Sequence, residues 1–158
     1  MPVLFAVLLA ILIAAPGLLA LSPRGYDLMN SAHFVVLLLT IAAQVGLGRR
    51  QARRGRRAGR VGALVGMAAG AAGSLGAAVI TETTPALSAF VQYAGRNGVP
   101  PTAAVTMHQL HLVTSAVLDA LLAAGFYGVL GGFAAWWGGR ASGRRQGSAA
   151  APKADPST

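Results

Sequence analysis

Four long apolar runs divide the chain: Val3 to Leu21, about Leu28 to Gly48, Val61 to Ile80, and a last run that begins after Pro100-Pro101 and continues to Trp137. A helix crosses the hydrocarbon core of a bilayer in about 20 residues, and each run reaches or exceeds that length. The pattern predicts an all-α fold, an integral membrane four-helix bundle with spans at about 3–21, 28–48, 61–80 and 112–137 in one transmembrane domain, 1–140.

The first run could be read as a signal peptide, since it is N-terminal and ends in small and turn-forming residues. It has no Lys or Arg before it and has the length of a full span rather than a signal core, so it is read as the first span. Pro16-Gly17 predicts a kink near its far end.

Between the runs lie polar segments of different kinds. Ser22 to Asp27 reads as a tight turn, whereas the 49–60 linker carries Arg49, Arg50, Arg53, Arg54, Arg56, Arg57 and Arg60. Arg140, Arg144, Arg145 and Lys153 follow the last run. Cytoplasmic loops collect such charges, which predicts that the linker and both termini are cytoplasmic and that the intervening loops lie outside. The same arginines are candidates for contact with anionic lipid headgroups. Within the long outer loop, Leu87, Phe90, Val91 and Ala94 recur at helical spacing across Pro85 to Ala94, which predicts a short interfacial helix. The 141–158 tail holds only small, polar, proline and charged residues and is expected to be a disordered cytoplasmic segment.

The third run carries small residues at every fourth position: Gly62, Gly66, Gly70, Ser74 and Ala78. They form a smooth ridge on one side of a helix, onto which another backbone can pack closely. A partner within the chain is expected, with a homo-oligomer as the alternative. Trp136 and Trp137 beside Arg140 suit an interfacial anchor.

Composition agrees with lipid as the solvent, because 54% of the 158 residues are hydrophobic and only 11% are charged. The net charge of +9 would suggest nucleic acid on a soluble fold, but here the charge clusters beside apolar runs, so no nucleic-acid partner is expected. There is no cysteine, which excludes thiolate catalysis, disulfide exchange and Cys-ligated metal. The abundance of Ala, Gly and Arg points to a GC-rich bacterial genome. No phosphate-binding glycine loop or His-Glu-x-x-His motif occurs, and Ser115, His111 and Asp119 on successive turns of one helix do not make a triad.

Candidate chemistry resides in two polar stripes. His108, His111, Ser115 and Asp119 share one side of the fourth helix, continued by Leu122 and Phe126; Asn30, His33, Thr40 and Gln44 share one side of the second with Leu37. Polar residues inside a membrane turn toward the bundle interior, so the stripes are expected to face each other. At a rise of about 1.5 Å per residue, His33 and Asp119 fall at the same depth, while His111 lies roughly 12 Å further out. The polar core is therefore His33, Asp119, Ser115 and Gln44, with Asp119 the one carboxylate inside a span and His33 its donor.

Three functions remain open on these residues. The first is a non-enzymatic accessory or structural membrane subunit, locked by His33 and Asp119 and served by a membrane protein partner. The second is a membrane redox protein holding b-type haem or a metal on His33, His108 and His111, with Met29 and Met107 added for copper(I). The offset between His33 and His111 opposes coaxial haem ligation. The third is proton-coupled movement of a small solute through protonation changes at Asp119 and His33. Both hairpins open their second helix with Met and His, at Met29 and His33 and at Met107, His108 and His111, a loose internal resemblance.

Overall fold

The computed structural model describes the backbone of residues 2–149 and their side chains apart from those of 111–114 and 143–149. It is helical over about 90% of its length with no strand among the described residues. The helices are α1 (Pro2–Ala14), α2 (Gly25–Ala52), α3 (Ala58–Thr81), α4 (Thr84–Arg96) and α5 (Pro101–Ala149), with a 3-10 segment, Ala15–Leu21, continuing α1. Four stretches are long and apolar enough to cross a membrane: Pro2–Leu21, Gly25–Ala52, Ala58–Thr81 and Ser115–Ser142. The protein is an all-α, multi-pass membrane bundle.

Local chemistry sets the boundaries. The Pro16-Gly17 pair produces a full 3-10 segment rather than a simple kink, because proline cannot donate to the preceding turn. The Gly25 N–H then donates to the Ser22 hydroxyl at 3.0 Å, and α2 begins. At its other end, Gly55 adopts φ +65° and the Arg56 N–H returns to the Gln51 carbonyl at 3.1 Å, a glycine-based helix stop inside the arginine linker. Pro85 occupies the first turn of α4. That helix ends where Gly98, at φ +80°, lets the Val99 N–H reach the Ala94 carbonyl at 3.0 Å. Pro101 opens α5, the position where its missing N–H is not needed.

α5 is longer than any span requires, about 73 Å at the standard helical rise. Its backbone is helical through Ala149, and residues 150–158 of the expected tail lie outside the described residues.

Close backbone packing joins α3 to α5, the most extensive helix pair. A Cβ on Gly62 or Gly66 would overlap the carbonyl oxygens of Gly131 and Tyr127, and one on Gly70 would lie 2.5 Å from the Ala123 oxygen. The small-residue ridge thus faces the same chain's α5. α5 answers with small residues of its own, Gly128, Gly131, Ala135 and Gly138, the last against the Val45 backbone of α2. Helices held this closely gain dispersion and weak backbone contacts that do not depend on excluding water. Bulkier residues, Leu9, Ile13, Val36, Leu47 and Val65, fill the core between α1, α2 and α3.

Arginines gather at one end of the bundle and α4 covers the other. There Tyr26 stacks on Tyr93 at 5.1 Å and leans on Phe90 at 5.7 Å, binding α4 to the start of α2. Arg96 reaches across to the Pro23 carbonyl and lies 3.9 Å from the Asp27 carboxylate.

Candidate polar cleft

Helices α2, α3 and α5 and the 3-10 segment leave a cleft of about 240 Å³ toward the α4 end. Its polar and sulfur-bearing lining is Met29 and His33 from α2, Ser74 and Thr81 from α3, and Ser115 and Asp119 from α5. Gly17, Ala77, Ala78 and Ala116 complete the wall. Beside the cleft the 3-10 segment crosses close to α3, where small residues admit it: a Cβ on Gly17 would meet the Ala77 Cα at 3.2 Å.

His33 Nδ1 lies 2.8 Å from the Met29 carbonyl one turn earlier. A carbonyl can only accept, so Nδ1 carries the hydrogen, and in the neutral ring Nε2 is left as an acceptor. Thr81 donates its hydroxyl to the Ala78 carbonyl at 2.8 Å.

Asp119 shares this cleft with His33, yet no hydrogen bond or ion pair joins them among the described residues. The direct His–Asp lock expected from the sequence is replaced by two side chains lining one opening, both exposed at the bundle surface. The reason lies in the rotation of α5. Its inward face is the glycine and alanine surface that meets α3, so Leu122 and Phe126, expected to continue the polar stripe inward, are 62% and 54% exposed.

The stripe on α2 divides similarly. Thr40 and Gln44 are buried, at 2% and 0% exposure, while Asn30 and His33 are exposed. The Gln44 amide lies against the Gly131 backbone, its nitrogen 2.9 Å from where a Cβ on that glycine would be. Neither Gln44 polar atom nor the Thr40 hydroxyl has a hydrogen-bond partner among the described residues. Gln51, also buried, has an unpartnered Oε1, a feature the sequence reading passed over.

The remaining candidates lie elsewhere. His108 packs against Phe90 of α4 at 5.5 Å with its Nε2 buried and without a hydrogen-bond partner among the described residues, and Met107 is exposed. Along α5, His108 stands roughly 16 Å from Asp119. The His111 side chain lies outside the described residues. Of the proposed haem or metal residues, the cleft therefore brings together Met29 and His33 but not His108, and no group of three His, Asp or Glu suited to a metal ion occurs among the described residues. Arg49, Arg50, Arg53, Arg54, Arg56, Arg57 and Arg60 are all exposed at the opposite end.

The chain matches no family model, no curated protein and no solved structure.

Proposed function

We propose that the protein is a small non-enzymatic subunit of a larger membrane assembly, with the polar cleft as its contact to a membrane protein partner. Asp119 carries the reading. It sits in a membrane-crossing stretch, is exposed on the bundle, and has no ion pair among the described residues. A carboxylate facing lipid is expensive, and such residues normally meet a partner or a polar cavity. A neighbouring helix that presents a donor to Asp119 and His33 removes that cost.

Charge supports an orientation in the cell membrane. Eleven of the thirteen Lys and Arg residues lie in the 49–60 linker or after Trp137, whereas the α4 end holds Arg24 and Arg96 balanced by Asp27 and Glu82. The arginine end is cytoplasmic on this reading, with both termini on that side and α4 outside.

A photoreactive residue at Leu118 or Leu122, which flank Asp119 and are exposed, tests the assignment in native membranes. The expected result is one adduct of defined mass that disappears in Asp119→Leu, with twice the chain's own mass marking a homo-oligomer. Adducts to lipid alone, unchanged by that substitution, would sink the proposal.

The same cleft supports a second reading, proton-linked movement of a small solute, because His33 Nε2 is left as an acceptor beside a carboxylate. A proton-linked flux in vesicles that is lost in Asp119→Asn would favour it over the subunit reading. For a haem protein, the deciding observation is a Soret band that His33→Ala removes.

A further inference from the structure

A different groove opens at the arginine end, between the start of α1 and the end of α2. It has a volume of about 240 Å³; Leu4, Phe5, Leu8 and Leu47 form its apolar wall, and Arg50, Gln51 and Arg54 its polar rim. We propose that it binds one anionic phospholipid whose headgroup carries a hydroxyl beside its phosphate, as a glycerol headgroup does.

Three observations converge on that ligand. Arg50 and Arg54 are two cations on one rim, suited to donate N–H groups to phosphate oxygens. Leu4 and Leu8 are 64% and 57% exposed and continue from the groove along α1, where an acyl chain would lie. Gln51 is 3% exposed, lines the groove, and has an Oε1 without a hydrogen-bond partner among the described residues. A buried acceptor beside two cations calls for a donor, which a phosphate diester lacks and a headgroup hydroxyl supplies.

The remaining linker arginines do not line this groove, which separates a built site from general attraction of a basic loop to the membrane. Two double variants of equal charge make the distinction. The site requires that Arg50→Gln with Arg54→Gln weaken binding of phosphatidylglycerol by about tenfold or more. It also requires that Arg53→Gln with Arg57→Gln have a much smaller effect.

Native mass spectrometry of the full chain in mild detergent, titrated with dioleoyl phosphatidylglycerol, phosphatidylmethanol and phosphatidylcholine, reads this directly. Phosphatidylglycerol should be retained singly and ahead of the other two. Gln51→Leu, which removes a buried unpartnered oxygen and so does not endanger folding, should bring phosphatidylglycerol down to the level of phosphatidylmethanol, a phosphate diester of the same charge with no headgroup hydroxyl. Equal losses in the two double variants would reduce the groove to diffuse electrostatics, and retention of phosphatidylcholine as strong as that of phosphatidylglycerol would overturn the proposal. Displacement by millimolar inorganic phosphate would reassign the site to a free anion and likewise reject the lipid.

Discussion

Gly66 of α3 lies directly against the carbonyl of Tyr127 on α5, with no room for a methyl group between them. The contact is backbone on backbone, so neither side can yield by rotating a side chain. Gly66→Ala should therefore destabilise the bundle by about 1–3 kcal/mol, the usual cost of overpacking. Gly46→Ala is the matched control: that glycine is exposed on α2 with nothing near its missing Cβ, and alanine there should be neutral or stabilising by up to about 1 kcal/mol. Reversible unfolding in mixed micelles compares the two; equal stabilities would mean that α3 and α5 are not in contact as described.

The α4 cap rests on stacked rings more than on charge. Arg96 and Asp27 are 49% and 57% exposed in their side chains, so their ion pair should be worth less than about 1 kcal/mol. Phe90 touches both Tyr26 and His108 and so ties α4 to α2 and α5 together. Phe90→Ala should accelerate amide hydrogen exchange throughout α4, whereas Asp27→Asn should leave it nearly unchanged. The reverse order would show that the electrostatic clamp, and not the aromatic one, holds the cap.

The absence of native cysteine makes the orientation directly measurable. Arg53→Cys and Asn97→Cys occupy exposed turns at opposite ends of the bundle. In intact cells an impermeant thiol reagent should label the Asn97 variant at once and the Arg53 variant only after lysis. Labelling of both before lysis would contradict a bundle that crosses the membrane with its arginines inside.

Hydropathy displayed the spans because a membrane-crossing helix must be apolar along its whole length, and Pro16, Pro85 and Pro101 mark local structure wherever they fall. Rotation about a helix axis was far less legible. In the fourth run nearly every side is apolar, so His108, Ser115 and Asp119 seemed to define the inward face. The face that packs is set instead by Gly128, Gly131, Ala135 and Gly138, residues whose hydropathy is unremarkable but whose missing bulk admits α3 and α2. The ridge on α3 was visible because its four-residue repeat is regular; the answering face on α5 alternates spacings of three and four and escaped notice. His33 and Asp119 meet at one depth by simple rise, yet whether they touch depends on that rotation, which the pattern did not contain.

Gln44 presents the opposite problem, a polar group in the tightest part of the core. It is fully buried beside Gly131, and neither its amide nitrogen nor its oxygen has a partner among the described residues. A buried amide left unpaired loses its hydration without recovering a hydrogen bond, at about 1–3 kcal/mol. Gln44→Met keeps the length of the side chain and removes both polar atoms, so it should stabilise the isolated bundle by about 1 kcal/mol or more. Gln44→Ala should instead destabilise it by about 2 kcal/mol through the cavity left against α5. Unfolding of the two variants in the same micelles separates the cases. If methionine destabilises as much as alanine, the amide is satisfied in solution, most simply by buried water shared with the unpartnered Thr40 hydroxyl one turn away, and the core is wet along α2.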